Sequence, residues 1–340
     1  MQGERAGLPE WIRPAVRKRP YLEHLGPRLR ALGISTVCES ARCPNLGECF
    51  SNGEATFLLM GEVCTRNCRF CAVETGKPAP LDEDEPRRVA RAVKELGLKH
   101  VVLTSVTRDD LADGGAGHFI AAMREIRELV PEASVEILVP DFGGNAEAVR
   151  AVVEAGPEIF AHNVETVPRL YAKVRPQAVW ERSLEVLRKA REESTKASKG
   201  AISPCATRPR RAKQGLNTSC GGGWNPRPTT ADTTCIGKES ADCSSRSLLV
   251  KSGLMVGLGE SREEILEVFR ELRSVGVDIL TVGQYLQPTP EHLPVVEYLP
   301  MGAYEEFAAA AKGLGFRSVS AAPLVRSSYH AGQMAQGKAR

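Results

Sequence analysis

Short runs rich in β-branched residues alternate with amphipathic stretches along most of this chain, and that alternation is the strongest constraint on its fold. Amphipathic segments such as 86–97 and 118–130 separate the apolar runs. Strands that alternate with helices predict a parallel sheet, either doubly wound or curved into an incomplete barrel. In both architectures ligands bind at the carboxyl ends of the strands. The predicted strands span residues 56–61, 100–106, 134–141, 159–166, 250–258 and 278–286.

Length and composition favour an ordinary soluble protein. The chain has 340 residues, of which 42% are hydrophobic and 26% are charged, so it can bury a large core. A net charge of +3 is too small to indicate a nucleic-acid partner. No apolar run approaches the roughly 20 residues of a membrane span, and the N-terminus lacks the apolar core of a signal peptide. We therefore expect a cytoplasmic protein that binds neither nucleic acid nor membrane.

Residues 195–247 interrupt the alternating pattern. This segment has nine Lys or Arg residues, three acidic residues and three aliphatic residues, so it predicts a disordered insert with four incidental cysteines. Two interpretations stay open: a tolerated surface loop, or a stretch that is not native coding sequence. The predicted organisation is an N-terminal extension over 1–52, a barrel over 53–290 that the insert divides, and a C-terminal extension over 291–340.

Three closely spaced cysteines follow the first predicted strand. Cys64, Cys68 and Cys71 form a C-x3-C-x2-C pattern. In a reducing compartment such a group indicates metal or redox chemistry rather than disulfides. A structural zinc site needs a fourth protein ligand, whereas three thiolates can bind three irons of a [4Fe–4S] cluster. That arrangement would leave the fourth iron open to another ligand.

The same pattern, with the aromatic Phe70 directly before its last cysteine, resembles the signature of the radical S-adenosylmethionine (SAM) enzymes. The resemblance implies that SAM chelates the open iron through its methionine moiety. It also implies that one electron from the cluster cleaves SAM to give a 5′-deoxyadenosyl radical. Such a radical can remove hydrogen atoms from saturated carbons, which polar catalysis cannot attack.

A second cysteine triplet makes the resemblance more specific. The sequence CESARCPNLGEC over 38–49, followed by CTRNCRFC and by RSSYHA over 326–331, resembles the lipoyl synthase family. The similarity covers most of residues 20–194 and 248–335. It implies an α/β fold, a partial (β/α)6 TIM-like barrel of the radical SAM type with N-terminal and C-terminal extensions.

The resemblance also implies a second, auxiliary [4Fe–4S] cluster. Its ligands would be Cys38, Cys43, Cys49 and Ser327, with Ser328 as the alternative serine. The implied reaction inserts two sulfur atoms at C6 and C8 of a protein-bound octanoyl-lysine to make the lipoyl cofactor. The auxiliary cluster would donate the sulfur.

Polar residues near the predicted strand ends are candidates for contacts with SAM. Asn163 and Glu165 could form hydrogen bonds with the ribose hydroxyls of SAM. Arg175 and Lys251 could form ion pairs with the carboxylate of its methionine moiety. The alternative is that each pairs with a neighbouring charge or backbone group. The full set of candidates is Thr104, Ser105, Asn163, Glu165, Arg175 and Lys251.

The partners implied are octanoylated carrier proteins, namely E2 subunits of 2-oxoacid dehydrogenases and the H protein of glycine cleavage. An electron donor such as ferredoxin or flavodoxin and a cluster-repair protein are also implied. The basic stretch 13–20 could attract an acidic carrier domain, or could be a solvated arm. Alternatives are another radical SAM sulfur-inserting enzyme, of the biotin synthase or methylthiotransferase type, or a non-enzymatic iron–sulfur or zinc protein.

Overall fold

A computed structural model describes residues 9, 29, 31–40, 45, 54–200, 248–328 and 331–332. Its main sheet has eight strands in the order β1-β2-β5-β6-β7-β8-β9-β10. Strand β1 pairs with β2 in antiparallel fashion, and all the other neighbours in this sheet are parallel. The strands are β1 (Ser35–Thr36), β2 (Glu54–Leu59), β3 (Val63–Cys64), β4 (Glu74–Thr75), β5 (His100–Ser105), β6 (Ser134–Leu138), β7 (Ile159–Ala161), β8 (Leu249–Val256), β9 (Ile279–Gln284) and β10 (Ser318–Ala321).

Helices connect the parallel strands, as the alternating sequence pattern predicts. The helices are α1 (Val37–Ser40), α2 (Glu85–Glu95), α3 (Ala116–Leu129), α4 (Ala146–Glu154), α5 (Tyr171–Val174), α6 (Trp180–Gly200), α7 (Arg262–Ser274) and α8 (Met301–Gly313). Their apolar faces pack on the sheet: Phe119 and Ile126 of α3, for example, are fully buried. The α/β fold with a mainly parallel, partial TIM-like barrel is therefore confirmed.

Local sequence explains where two of the helices begin. The hydroxyl of Ser261 accepts a hydrogen bond from the Glu264 N–H, and the Glu264 carboxylate accepts one from the Ser261 N–H, so α7 starts with a reciprocal capping box. The Asn145 side chain accepts hydrogen bonds from the N–H groups of Glu147 and Ala148 at the start of α4.

The barrel contains a seventh parallel strand, one more than the predicted (β/α)6 count. Strand β10 pairs with β9, with Ser318 opposite Ile279 and Ala321 opposite Val282. Helix α8 and strand β10 lie beyond residue 290, so part of the predicted C-terminal extension is built into the barrel. The sequence SVSA of β10 has only one strongly apolar residue, and tertiary pairing rather than local hydrophobicity makes it a strand.

The predicted insert begins inside a helix. Helix α6 continues through Gly200, so residues 195–200 are helical rather than part of a disordered segment. Residues 201–247, with the other part of the predicted insert and its four cysteines, lie outside the described residues, as does the basic stretch 13–20. None of the helices within the described ranges is long and apolar enough to cross a membrane.

A buried ion pair lies inside the barrel, toward the amino ends of the strands. Lys251 of β8 donates to both carboxylate oxygens of Glu136 of β6, at 2.8 and 3.1 Å, and both side chains are fully buried. His100 of β5 lies 3.8 Å from the same carboxylate. Residues two positions further along two of these strands, Leu138 and Gly253, line the cavity described below. The three residues Lys251, Glu136 and His100 therefore form the barrel floor, beneath the cavity.

Candidate active site

A cavity of about 960 Å³ opens at the carboxyl ends of the barrel strands. Its lining includes the three cysteines of the C-x3-C-x2-C pattern. It also includes five of the six predicted SAM-contact residues and the predicted serine ligand. The predicted site residues that the structure brings together here are Cys64, Cys68, Cys71, Thr104, Ser105, Asn163, Glu165, Arg175 and Ser327.

The three cysteines lie on one loop, called here the cysteine loop and comprising residues 62–72. Cys64 ends β3, and its sulfur accepts hydrogen bonds from the N–H groups of Arg66 at 3.4 Å and Thr107 at 3.3 Å. The Cys71 N–H donates to the carbonyl of Cys68 at 3.0 Å, which makes a tight turn between those two residues. The loop thus presents three free thiols to one cavity.

Burial raises the pKa values of Cys68 and Cys71. Burial raises the pKa of Cys68, and the nearby Arg175 guanidinium offsets part of that increase. Burial likewise raises the pKa of Cys71 to about 12, against a smaller lowering by a hydrogen bond from the Val73 backbone. Metal binding requires thiolates, so a metal that binds here must displace these protons.

The described residues contain no group of three Cys, His, Asp or Glu side chains arranged around a single metal ion. A cluster sets a different requirement from a single ion, because thiolates that each bind a different iron need not converge on one point.

Arg66, between the first two cysteines, carries two forked ion pairs. Its Nε and Nη2 donate to the two carboxylate oxygens of Asp109, both at 2.7 Å. Its Nη1 and Nη2 donate to the two oxygens of Asp141, at 3.0 and 2.7 Å. Burial alone would raise the pKa of Asp141, but the hydrogen bonds and charge of Arg66 outweigh it and lower that pKa to about 2. Asp141 is therefore an anion at neutral pH.

Two further segments hold the cysteine loop. On one side, the Arg69 N–H donates to the Val174 carbonyl at 2.9 Å, next to Arg175. On the other side, His292 contacts the loop at its last cysteine. Because a carbonyl can only accept, Nε2 of His292 donates to the Cys71 carbonyl at 2.8 Å, and Nδ1 accepts from the Thr289 hydroxyl at 2.8 Å.

Three residues that line the cavity carry a buried polar atom without a hydrogen-bond partner in the described part of the chain. Within the described ranges, Asn163 Oδ1, Arg175 Nε and Ser105 Oγ are buried and have no hydrogen-bond partner. The other polar atoms of Asn163 and Arg175 are used: Asn163 Nδ2 donates to Glu165 at 3.0 Å, and Arg175 Nη1 donates to the Asn163 carbonyl at 3.0 Å. An unpartnered buried polar atom is costly. These three atoms therefore fit a ligand that offers both hydrogen-bond donors and acceptors.

Glu165 adopts an unusual backbone conformation at the centre of this group. Its φ is +68°, in the left-handed region that side chains other than glycine seldom adopt. Backbone bonds to β8 hold it there, from the Glu165 N–H to Gly253 and from the Met255 N–H to Glu165. Burial raises the pKa of its carboxyl group, although Arg175 and Asn163 oppose that shift. Strain of this kind is concentrated at functional sites in proteins.

Lys251, the sixth predicted SAM contact, is not among the residues that line this cavity. It lies in the barrel floor, where its ammonium group is fully buried against Glu136, and it does not line the cavity. The reason is its position in the strand. Lys251 is the third residue of β8, at the amino end, whereas Asn163 and Glu165 follow the carboxyl end of β7.

The C-terminal segment reaches the cavity across two glycines. A Cβ atom on Gly283 would lie 2.1 Å from the Val325 carbonyl oxygen, so only glycine allows the chain to cross β9 at this point. A Cβ on Gly253 would lie 2.3 Å from Thr281 Oγ1 and 3.1 Å from Ser327 Oγ. Ser327 Oγ accepts a hydrogen bond from Asn163 Nδ2 at 2.5 Å.

The N-terminal triplet lies largely outside the described residues. The backbone of Cys38 is in helix α1, and Cys43 and Cys49 are outside the described ranges. The residues beside them are informative. Val37 lines the cavity, and Asn45 Nδ2 donates to the Leu324 carbonyl at 2.5 Å. The N-terminal segment therefore contacts the C-terminal segment that carries Ser327.

Sequence reasoning did not single out Arg66, Asp141 or His292. The available signal for Arg66 was its place between two of the cysteines, in CTRNC. Asp141 and His292 gave no local signal, because their partners are 75 and 221 residues away in the chain.

Comparisons with known proteins show the family to which this chain belongs. Residues 58–202 match the radical SAM superfamily model. The lipoyl synthase of Caldanaerobacter subterraneus subsp. tengcongensis is 46% identical over 323 residues, which cover 95% of each chain. The lipoyl synthase of Thermus thermophilus is 45% identical over 325 residues, which cover 95% of this chain and 85% of the other.

Two solved structures share the fold at low sequence identity. HydG, a maturase of the [FeFe]-hydrogenase, aligns with a TM-score of 0.50 and 13% identity over 96% of this chain and 77% of its own. Streptococcus suis SuiB bound to S-adenosylmethionine aligns with a TM-score of 0.50 and 10% identity over 79% of this chain and 49% of its own. The full-length similarity to curated relatives and the match to the superfamily model together show that the chain belongs to the lipoyl synthase family of radical SAM enzymes.

Proposed function

We propose that this protein inserts two sulfur atoms, at C6 and C8, into an octanoyl chain attached to a lysine of a carrier protein. The observation that carries the proposal is the shared cavity, in which Cys64, Cys68 and Cys71 lie together with Ser327. The proposed ligands of the radical SAM cluster and the proposed serine ligand of a sulfur-donating cluster thus line one cavity. Sulfur insertion needs both at a single substrate.

Cys64, Cys68 and Cys71 would hold the [4Fe–4S] cluster that the radical SAM family requires. With SAM bound, this cluster supplies the one-electron chemistry that removes hydrogen atoms from unactivated carbons. The chain contributes the orientation of the thiols. The N–H groups of Arg66 and Thr107 fix the Cys64 sulfur, and the turn between Cys68 and Cys71 fixes the other two.

Five of the predicted polar residues remain candidates for SAM contacts. Asn163 Oδ1 would accept a hydrogen bond from a hydroxyl or amine, and Arg175 Nε would donate one to a carboxylate, since both atoms lack partners within the described chain. Glu165 lies beside them and would accept from a ribose hydroxyl. The proposed set is Thr104, Ser105, Asn163, Glu165 and Arg175.

Cys38, Cys43, Cys49 and Ser327 are the proposed ligands of an auxiliary [4Fe–4S] cluster that donates the sulfur. Two observations support this set: Val37, next to Cys38, lines the same cavity as Ser327, and the Asn45 contact joins the two segments. A serine oxygen is a poorer iron ligand than a thiolate. A cluster held in part by serine should therefore lose its sulfides more readily.

The cavity also suits an aliphatic substrate. Apolar groups form part of its wall, including Phe70, Leu138, Met255 and Leu286. A saturated chain gives the protein no polar group to bind, so apolar contact and exclusion of water must position it.

The carriers proposed are E2 subunits of 2-oxoacid dehydrogenases and the H protein of glycine cleavage. A ferredoxin or flavodoxin is the proposed electron donor, and a cluster-repair protein would restore the consumed auxiliary cluster. These partners follow from the family membership and from the need to replace sulfide after each turnover.

The test is anaerobic incubation of the reconstituted protein with an octanoyl-lysyl peptide, SAM and a strong reductant. Mass spectrometry of the peptide and quantification of 5′-deoxyadenosine are the two readouts. We expect the peptide to gain two sulfur atoms. Deoxyadenosine without sulfur gain would contradict the proposed sulfur insertion and indicate a different radical SAM reaction.

Two serine variants sharpen this test. Ser327→Ala should keep deoxyadenosine formation but lose sulfur transfer, because only the auxiliary cluster loses a ligand. Ser328→Ala is the matched control and should behave as the wild type. The reverse result would assign the ligand to Ser328.

A further inference from the structure

We propose that Arg66 is a positioning residue that locks the cysteine loop onto the carboxyl ends of β5 and β6 through its two forked ion pairs. This inference rests on the proposed role of Cys64, Cys68 and Cys71 as cluster ligands. It adds that the loop's readiness to bind a cluster depends on one buried guanidinium.

The geometry of Arg66 is specific to a guanidinium. Four hydrogen bonds of 2.7 to 3.0 Å connect Nε, Nη1 and Nη2 to two carboxylates, and only 6% of Arg66 is exposed. Asp109 lies beyond the end of β5, and Asp141 lies beyond the end of β6. A lysine ammonium cannot form two planar forks at once. Arg66 therefore bridges two neighbouring strands in a way that lysine cannot reproduce.

The two carboxylates are themselves held in place. Asp141 is fully buried and accepts hydrogen bonds from the Gly143 N–H at 3.0 Å and from Arg182 at 3.4 Å. Asp109 is 41% exposed and shares a hydrogen bond with the Thr65 hydroxyl at 3.2 Å. Asp141 is thus the buried partner of Arg66, and Asp109 is its partly exposed partner, which also accepts a hydrogen bond from Thr65.

The two forked ion pairs of Arg66 bear directly on the geometry of Cys64. The backbone N–H of Arg66 donates to the Cys64 sulfur, so a fixed Arg66 side chain fixes the direction of that N–H. Arg66 also lies between two of the three proposed ligands. Loss of either fork should therefore loosen the backbone between Cys64 and Cys68 and disturb the cluster's orientation toward SAM.

The experiment compares three variants of the full-length chain. Arg66→Lys keeps the charge but removes both forks. Asp109→Asn removes charge at the half-exposed support and leaves the buried Asp141 pair intact, so it tests the inference even if Arg66→Lys fails to fold. Arg169→Lys is the matched control, because Arg169 makes a similar fork with Glu264, at 2.7 and 2.9 Å, on an exposed surface away from the cavity.

Hydrogen–deuterium exchange of the iron-free protein is the first readout. We expect exchange in the 62–72 peptide to accelerate about tenfold in Arg66→Lys and about threefold in Asp109→Asn, with β8 unchanged. Arg169→Lys should leave the loop unchanged. Unaltered loop exchange in Asp109→Asn, or acceleration spread equally over the whole chain, would overturn the inference.

The second readout uses the reconstituted protein. Arg66→Lys should release iron to a chelator several times faster than the wild type and should alter the EPR line shape of the reduced cluster. An unchanged line shape and release rate would overturn the inference. Failure of the wild type to bind any cluster at Cys64, Cys68 and Cys71 would instead refute the proposed ligand assignment, which the iron-free exchange measurement does not require.

Discussion

The two ends of the barrel interior bury charged and polar groups equally well but satisfy them differently. In the barrel floor, Lys251 and Glu136 pair with each other, and His100 Nε2 has no hydrogen-bond partner among the described residues but belongs to a residue that does not line the cavity. At the cavity end, Asn163, Arg175 and Ser105 keep buried atoms without partners in the described chain. Burial therefore does not distinguish a structural polar group from a functional one. The useful criterion is whether the residue that carries an unpartnered atom also lines a cavity.

The largest effect should come from removing a proposed cluster ligand at the cavity end of the barrel. Cys68→Ala should reduce deoxyadenosine formation to the background rate and lower bound iron from about eight to about four per chain. Cys205→Ala, within the insert, is the matched control and should retain full iron. Iron and sulfide analysis after reconstitution is the measurement, and wild-type iron content in Cys68→Ala would exclude Cys68 as a ligand.

The barrel floor should respond in stability rather than in cofactor binding. Lys251→Met leaves Glu136 buried without its partner and should lower the free energy of unfolding by about 3–5 kcal/mol. The double variant Lys251→Met/Glu136→Leu should recover most of that loss, because neither charge remains. Urea unfolding measures the stability, and the KM for SAM should not change in the double variant. A raised KM for SAM would show that Lys251 or Glu136 contributes to SAM binding.

His162, at the cavity wall, should make stability depend on pH. Nδ1 of His162 donates to the Val139 carbonyl at 2.9 Å, and Nε2 accepts from the Ser183 hydroxyl at 3.0 Å. Burial, with a smaller contribution from the Arg175 charge, lowers the pKa of His162 from 6.5 to about 4. The unfolded chain binds the proton more tightly, so stability is complete above pH 6.5 and is lost as pH falls toward 4.

The expected loss over that pH interval is up to about 3 kcal/mol. His162→Asn keeps a donor near Nδ1 but cannot titrate, so its stability should vary less between pH 6.5 and 4. Urea midpoints across this range, for both proteins, measure the difference. Parallel pH profiles would show that His162 does not cause the dependence.

The smallest effect should come from a single unpartnered cavity atom. Ser105→Ala removes only Oγ, which has no partner among the described residues, and the loss of one hydrogen bond to SAM, about 0.5–1.5 kcal/mol, should raise the KM for SAM about twofold to tenfold. Ser252→Ala is the control, because Ser252 Oγ is also buried and unpartnered among the described residues but does not line the cavity. Its KM should stay at the wild-type value. Equal effects in both variants would remove the distinction between the two ends.

Sequence patterns predicted the six strands with strong apolar runs and missed four short strands without them, namely β1, β3, β4 and β10. All six predicted strands exist, although β7 ends at Ala161 and the following residues turn into the cavity. Strand β10 was not predicted, because four residues with two serines carry little hydrophobic signal. Its strand conformation depends on the backbone of β9, which is more than thirty residues earlier in the chain.

The SAM-contact predictions illustrate the same limit within the site. Asn163 and Lys251 are both polar residues associated with a strand, and periodicity alone treats them alike. Strand boundaries separate them: one follows the carboxyl end of β7, and the other is near the amino end of β8. A difference of a few residues along a strand, at about 3.3 Å per residue, moves a side chain from the cavity to the floor.

The sequence by itself indicated the family of this protein and the class of its fold. Cysteine spacing and hydrophobic alternation are local patterns, and both can be read without knowledge of distant contacts. Only the tertiary structure decided which polar groups share the cavity, which pair in the floor and how Arg66 reaches Asp109 and Asp141. Those outcomes depend on side chains that are far apart in the chain, and the order and register of the strands bring them together.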